Sequence, residues 1–250
     1  MQKLILPFKK NMFICGYKNK MYKKQWGYSH FGVDITATQG IEFHEFDRTI
    51  YGSGRGYVVD CGYDNSGGNI VIVRYKDVFN HKTGEISDLV ARYMHLAKIY
   101  VSPSDTVTPD TRLGEEGTTP NTTIHLHIEF DTDLKFPYHS PQVSSKDDHK
   151  TRPQGNVLKH GIDTTVNPSY IFHAVEDRAI IAPVFNPSYL NKEDFDIPFI
   201  ELGSGELIPP AELEQAEIKR LLAEMRSQLD RTLHTYNQLE AYINGSEYNG

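Results

Sequence analysis

The sequence predicts a mainly β protein, with an antiparallel sheet first, an irregular segment after it and a long α-helix at the end. Short runs rich in Val, Ile and Tyr alternate with glycine-containing turns up to about residue 136. Residues 135–161 are rich in Pro, Ser, His, Asp and Lys, and the end of the chain carries a heptad pattern of apolar residues. We therefore expect three parts, at residues 1–136, 137–208 and 209–250.

The first part carries the strand signals. Five runs predict strands: Ile50–Tyr51, Gly56–Cys61, Asn69–Arg74, Leu89–His95 and His125–Phe130. The turn residues between Cys61 and Asn69 predict a β-hairpin. In residues 162–208 neither the helical nor the strand period is sustained, so we expect irregular segments that pack on a neighbouring part of the protein.

The last forty residues predict one long helix. Pro209 and Pro210 suit a first helical turn, and Glu212 and Glu214 complement its dipole. Apolar residues then follow a 4-3 spacing at Ile218, Leu222, Met225, Leu229, Tyr236, Leu239 and Ile243, with Thr232 filling the one gap. This seam predicts one of two arrangements. The helix packs on its own chain, or it forms a coiled coil with a partner protein or with a second copy of the chain; the last case is self-association.

Composition excludes several classes of protein. The 250 residues are 38% hydrophobic and 24% charged, as in globular proteins of one or two domains. No apolar run approaches the roughly 18 residues of a membrane span, and the apolar start of six residues is too short for a signal peptide. The net charge of −7 argues against nucleic-acid binding, and a local lysine group at 18, 20, 23 and 24 predicts a solvated loop.

Three histidine motifs point to a metal site. They are His30-Phe-Gly-Val-Asp34, Tyr93-Met-His95-Leu, and His125-Leu-His127-Ile-Glu129. On a strand, His125, His127 and Glu129 share one face. Two cysteines cannot build a thiolate cage, so a metal here would be held by imidazole and carboxylate. Two imidazoles and one carboxylate are a three-ligand set for a catalytic zinc, with a fourth position open to water.

These motifs, in this order and with their glycine turns, resemble the lysostaphin-type zinc metallopeptidases, the β-lytic family of cell-wall endopeptidases. The resemblance rests on YSHFGVDI, GSGRGYVVDCGYDNSGGNIVIVRY, ARYMHLAKIYVSPSDTVTPDTRLGEEG and HLHIEF, within residues 25–131. It implies a sheet with a zinc groove, in which Zn²⁺ is held by His30, Asp34 and His127. It also implies that His95 and His125 act on the substrate or on its attacking water. Glu129 then becomes a hydrogen-bonding partner of an imidazole rather than a ligand.

The resemblance implies an endopeptidase that cuts amide bonds in the peptide part of bacterial peptidoglycan. Without a visible leader, such a protein would be made in the cytosol and reach the wall by lysis or on a phage particle. One alternative is a cupin-type metal site, but Glu129 follows His127 at too short a spacing for it. The other is a structural or assembly protein, of a phage tail or a wall scaffold, that uses a peptidase-like domain without catalysis.

Overall fold

The computed structural model describes residues 1–37, 47–135, 137, 163–181 and 187–201. The chain divides into two units, Met1–Glu201 and Leu202–Gly250, and all described residues belong to the first. The helix predicted for residues 209–250 lies outside them. Among the residues described, no helix has the length and apolarity needed to cross a membrane.

The described part is mainly β, as the sequence predicts. Its strands are β1 (Leu4–Ile5), β2 (Lys10–Cys15), β3 (Val33–Thr36), β4 (Thr49–Tyr51), β5 (Gly56–Asp64), β6 (Gly68–Phe79), β7 (Ile86–Leu96), β8 (Lys98–Ile99), β9 (Thr106–Val107), β10 (Arg112–Glu115), β11 (Leu126–Asp131), β12 (Thr165–Val166), β13 (Phe172–His173) and β14 (Ala179–Ile180). One α-helix, α1 (Lys20–Trp26), and three 3₁₀ helices, Pro168–Tyr170, Pro187–Tyr189 and Lys192–Phe195, complete this part.

Most strands join one large sheet. Its order is β14-β2-β3-β11-β7-β6-β5-β9, and β12 pairs with β11. The pairs from β2 through β9 are antiparallel. A three-stranded sheet, β4-β10-β8, and the pair β1-β13 are separate. The centre of the large sheet, where β3, β11 and β7 lie side by side, holds all the predicted site motifs.

The two faces of this sheet have different roles. One face carries the main apolar core, which includes Val33, Tyr93, Leu126, Ile128 and Phe130, all fully buried. The other face carries a smaller apolar cluster of Ile70, Ile72, Val90 and Met94. Because side chains alternate along a strand, the polar residues between the core positions of β11 face this second side.

The five predicted strands are confirmed, and so is the hairpin. β5 and β6 pair antiparallel down to Asp64 opposite Gly68, as the turn residues between them predict. The strands β2 and β3 were not predicted. β3 is only four residues long and three of those are buried, so it shows little of the apolar–polar alternation that reveals a strand.

The expectation of a solvated loop for the lysine group is wrong, because Lys20–Trp26 forms helix α1. Asn19 caps its start through hydrogen bonds from the backbone N–H of Met21 and Tyr22, and Gly27 ends it with a φ of 80°, a conformation that favours glycine. The helix buries none of its residues. It therefore lacks the apolar stripe by which a helix is recognised in a sequence.

The segment after residue 162 contributes strands to sheets that begin near the N-terminus. β13 pairs parallel with β1, β14 pairs parallel with β2, and β12 pairs with β11. Each of these strands has two residues, too few for a periodic signal. The boundary near residue 136 remains a prediction.

Candidate metal centre

Strand register brings the histidine motifs together. His127 on β11 lies directly opposite Asp34 on β3 and, on its other side, opposite Met94 on β7. His95 follows Met94 at the end of β7, and His125 directly precedes β11. Side chains from three neighbouring strands therefore meet on the face of the sheet opposite the main core.

Three ligand-type atoms converge at this point. His30 Nε2 lies 3.0 Å from Asp34 Oδ1 and 3.0 Å from His127 Nδ1. His127 Nδ1 lies 2.8 Å from Asp34 Oδ1. The three atoms thus form a nearly equilateral triangle, and both histidines are buried.

Hydrogen bonds on the far side of each ring orient the two histidines. His30 Nδ1 donates to the carbonyl oxygen of Gly16 at 2.9 Å, and His127 Nε2 donates to Glu129 Oε1 at 3.1 Å. Each ring therefore carries a proton on its outer nitrogen, and its inner nitrogen is the atom that a metal would take once the proton there is displaced. Metal-bound histidines are held in this way by acceptors behind them.

This donor set fits a zinc ion. Ligand atoms about 2.0–2.1 Å from zinc at tetrahedral angles lie roughly 3.3 Å apart, close to the spacing of the three atoms here. Two imidazole nitrogens and one carboxylate oxygen match the ligands of a catalytic zinc site, in which a fourth position stays open. His30, Asp34 and His127 would hold the ion.

The two remaining predicted residues lie beside this triangle. The ring centre of His95 is 4.8 Å from that of His125 and 6.0 Å from that of His127. His95 Nδ1 donates to the carbonyl oxygen of Thr119 at 2.7 Å, and His125 Nδ1 donates to that of Thr123 at 2.7 Å. These contacts do not use the Nε2 atoms of the two rings, and that of His125 is 3.6 Å from Asp34 Oδ1.

The backbone at His95 is unusual. Its φ is 70°, in the left-handed region that few residues other than glycine adopt. Residues held in this region cluster at functional sites, where the surrounding structure stabilises them. A backbone hydrogen bond from His95 N to Gly67 O, 2.9 Å long, helps to hold this conformation.

Electrostatics divide the histidines into two groups. Burial would lower the pKa of His30 and of His127, but the charge of Asp34 and hydrogen bonds to it raise both to about 10. Burial, together with the neighbouring His127 and His125, lowers the pKa of His95 to about 4. In the metal-free protein the ligand pair thus holds protons that a metal must displace, whereas His95 is neutral near pH 7.

Gly32 lies between the first two ligand-type residues, and its lack of a side chain matters. A Cβ atom there would lie 2.3 Å from the carbonyl oxygen of Ile128 and 2.8 Å from His127 Nε2. Only glycine allows β3 and β11 to approach this closely at the site.

Sequence reasoning missed two neighbours of the site. Cys15 lies opposite Asp34 in the β2–β3 pair, and its sulfur lies within 4.8 Å of ligand-type atoms of His30 and Asp34. Arg92, one residue before the Tyr-Met-His-Leu motif, bonds Glu129. The available signal was a charged residue inside an otherwise apolar run, Leu89–Met94.

Comparison with known proteins agrees with this geometry. Residues 28–136 match the family model described as Peptidase family M23. The chain carries an M23 peptidase domain. The matched range contains all five predicted site residues.

Solved structures similar to the M23 domain include several peptidases. The catalytic domain of lysostaphin, an antimicrobial peptidase from Staphylococcus simulans, is 27% identical, with 42% of this chain and 68% of that chain covered and a TM-score of 0.33. A zinc-containing peptidase from Vibrio cholerae is 22% identical, with 50% and 37% covered and a TM-score of 0.37. A variant catalytic domain of EnpA, a prophage-encoded M23 protein from Enterococcus faecalis, is 20% identical, with 53% and 88% covered and a TM-score of 0.38. No curated protein sequence matches the chain.

Proposed function

We propose that the M23 domain is a zinc-dependent endopeptidase that hydrolyses amide bonds in the peptide part of bacterial peptidoglycan. One observation carries the proposal: His30 Nε2, Asp34 Oδ1 and His127 Nδ1 lie within 3.0 Å of one another. Their other polar contacts leave these atoms pointing at a common centre.

A zinc ion bound by these three residues would lower the pKa of a water ligand toward neutrality and polarise a carbonyl group. The residues of the chain supply the charge of the ligand set and the groups for proton transfer. Asp34 carries the negative charge of the ligand set, and its pKa lies well below the usual range: burial would raise it, but the charges of His30 and His125 and the hydrogen bonds from His127 and His30 lower it. Asp34 is therefore ionised near neutral pH.

His95 and His125 are suited to proton transfer. Their Nδ1 atoms are held by backbone carbonyl oxygens, so Nε2 is the nitrogen that each ring offers for proton transfer, and the two ring centres lie 4.8 Å apart. A neutral His95 can accept a proton from an attacking water. His125, beside it, can donate a hydrogen bond from Nε2 to the oxyanion that forms on the substrate carbonyl when both of its ring nitrogens carry a proton.

Replacing a ligand tests the metal site. In separate His30→Ala, Asp34→Ala and His127→Ala variants we expect loss of bound zinc, measured by elemental analysis, together with loss of lysis of purified cell walls. His81→Ala is the control, because His81 bonds Ser169 O outside the site. Unchanged zinc content and lysis in the three variants would contradict the assignment.

Replacing His95 tests the division of roles. His95→Ala should keep zinc at the wild-type level but lower the rate of amide hydrolysis about 10²–10⁴-fold, the usual contribution of a general acid or base. Loss of the metal in this variant would instead show that His95 is a ligand.

The substrate and its location belong to the same proposal. Amide hydrolysis in peptidoglycan places the action at the cell wall, and delivery by a phage would bring the protein there. Mass analysis of wall fragments after digestion would identify the bond that is cut. A protein that binds zinc but releases no fragments from any wall would favour the assembly role over catalysis.

A further inference from the structure

Arg92 lies in the middle of the large sheet, where charged residues are rare. It is 0% exposed, and Ile72 on β6 lies opposite it. On its own strand Val90 and Met94, two residues away on either side, belong to the small apolar cluster. A guanidinium in such surroundings must be paired to be tolerated.

Each nitrogen of the Arg92 guanidinium has a hydrogen-bond acceptor. Its Nε donates to Glu129 Oε2 at 2.8 Å, its Nη2 to Asp131 Oδ2 at 2.7 Å and its Nη1 to the carbonyl oxygen of Pro137 at 3.1 Å. Glu129 is the residue directly opposite Arg92 in the β7–β11 pair, so strand register fixes the contact.

The same carboxylate reaches the metal centre. Glu129 uses Oε2 for Arg92 and Oε1 for His127, whose Nε2 lies 3.1 Å away. His127 Nδ1 is one of the three converging atoms. A continuous chain of buried hydrogen bonds thus runs from Arg92 through Glu129 to His127.

We propose that Arg92 is a positioning residue that holds Glu129 so that His127 keeps a proton on Nε2 and turns Nδ1 to the metal. The inference rests on the proposed function, in which His127 is a ligand. Arg92 Nε donates to Oε2 of Glu129 and so fixes the carboxylate, which leaves Oε1 turned to the Nε2 of His127 as the acceptor of its proton.

Glu129→Gln separates this role from simple packing, since glutamine has nearly the same shape. Arg92 Nε–H has to donate, so the amide oxygen should turn toward Arg92 and the amide NH₂ toward His127. His127 Nε2 must then accept, which leaves the remaining ring proton on Nδ1 and blocks the ligand atom. Loss of such a hydrogen-bonding partner behind a ligand lowers metal affinity about 10–100-fold.

The test uses the full chain and two measurements that do not depend on activity. Zinc affinity is measured by competition with a chromophoric chelator, and the His127 Nε2–H proton is observed in long-range ¹H–¹⁵N correlation spectra. We expect Glu129→Gln to lose the Nε2–H signal and to bind zinc about 10–100-fold more weakly. Arg92→Met should weaken zinc binding in the same direction.

Arg74→Met is the matched control, since Arg74 also pairs with a carboxylate of the same sheet, Asp88, at 3.0 Å, and this pair does not involve a histidine. It should leave both measurements unchanged. If Arg92→Met does not fold, the result for Glu129→Gln alone tests the inference.

Unchanged zinc affinity and an unchanged Nε2–H signal in Glu129→Gln would overturn the inference and leave the zinc site intact. Wild-type protein that binds no zinc would overturn the proposed function, while the Nε2–H signal would still test the role of Glu129.

Discussion

At the scale of single residues, the site depends on which nitrogen of each imidazole carries a proton. In all four histidines of the centre one ring nitrogen is bound by an acceptor: a backbone carbonyl for His30, His95 and His125, and a carboxylate for His127. Each ring is thereby held in one orientation before any ligand arrives. This preorganisation lowers the cost of assembling a metal site.

The raised pKa values of His30 and His127 predict how zinc affinity depends on pH. Asp34 keeps protons on this pair up to about pH 10 in the metal-free protein, and a metal must displace them. Zinc should therefore bind more weakly as pH falls from 9 to about 6, and binding should release protons. Calorimetric titration in buffers of different ionisation enthalpy measures that release.

The control is made on the metal-free protein: Asp34→Asn removes the charge that raises both pKa values, so NMR titration should show a lower pKa for His30 and for His127. A wild-type affinity that stays constant across this pH range would contradict protonated ligands in the metal-free state.

At the scale of elements, the sequence predicts a strand well when its pattern repeats. β11 alternates core and site residues, so Leu126 and Ile128 mark one face and His125 and His127 the other. The ion pairs on the site face were not predicted: the apolar run around Arg92 was a signal that this charge is buried, but the strand pattern does not show which carboxylates pair with it. Helix α1 and the two-residue strands β12 to β14 were not predicted, because they are too short or too exposed to show a periodic pattern of apolar residues in the sequence.

Helix α1 gives a stability prediction. Asn19 Oδ1 accepts from the backbone N–H of Met21 and Tyr22, and its Nδ2 donates to Asn191 Oδ1 at 3.0 Å. Asn19→Ala should lower the free energy of unfolding by about 1 kcal/mol, the usual contribution of a helix cap. Urea unfolding measures it, and Lys24→Ala, at an exposed helix position, should change stability little.

The cap also matters for the site, because Tyr22 of this helix packs its ring 4.4 Å from the ring centre of His30. If Asn19→Ala were as stable as wild type, the cap would contribute nothing beyond what water supplies.

At the scale of the whole molecule, the segment after residue 162 is bound to the N-terminal strands of the same unit. Besides the pairing of β13 and β14 with β1 and β2, Arg178 Nη1 donates to the carbonyl oxygens of Leu6 and Gly52, each at 2.9 Å. Arg178 is buried, so the guanidinium joins the N-terminal strands to the turn after β4 from within the protein.

Self-association through residues 209–250 remains a prediction of the heptad seam. Sedimentation of the full chain should show a dimer or larger species that Leu229→Glu, a seam position, converts to monomer, because a charge cannot be buried in such a seam. Ser227→Glu, two residues away and off the seam, should leave the oligomer intact. A monomeric wild type would favour packing of the helix on its own chain.

The parallel pairing of β14 with β2 has a consequence for fragments of this protein. The range that matches the M23 family model, residues 28–136, omits β1, β2, β13 and β14. In that fragment β3 would become an edge strand, with its backbone donors and acceptors unpaired on the side where β2 belongs. Bare edges of this kind recruit strands of other molecules and cause aggregation. Expression boundaries should therefore follow the strand pairing, from residue 1 to about residue 201, and not the limits of sequence similarity.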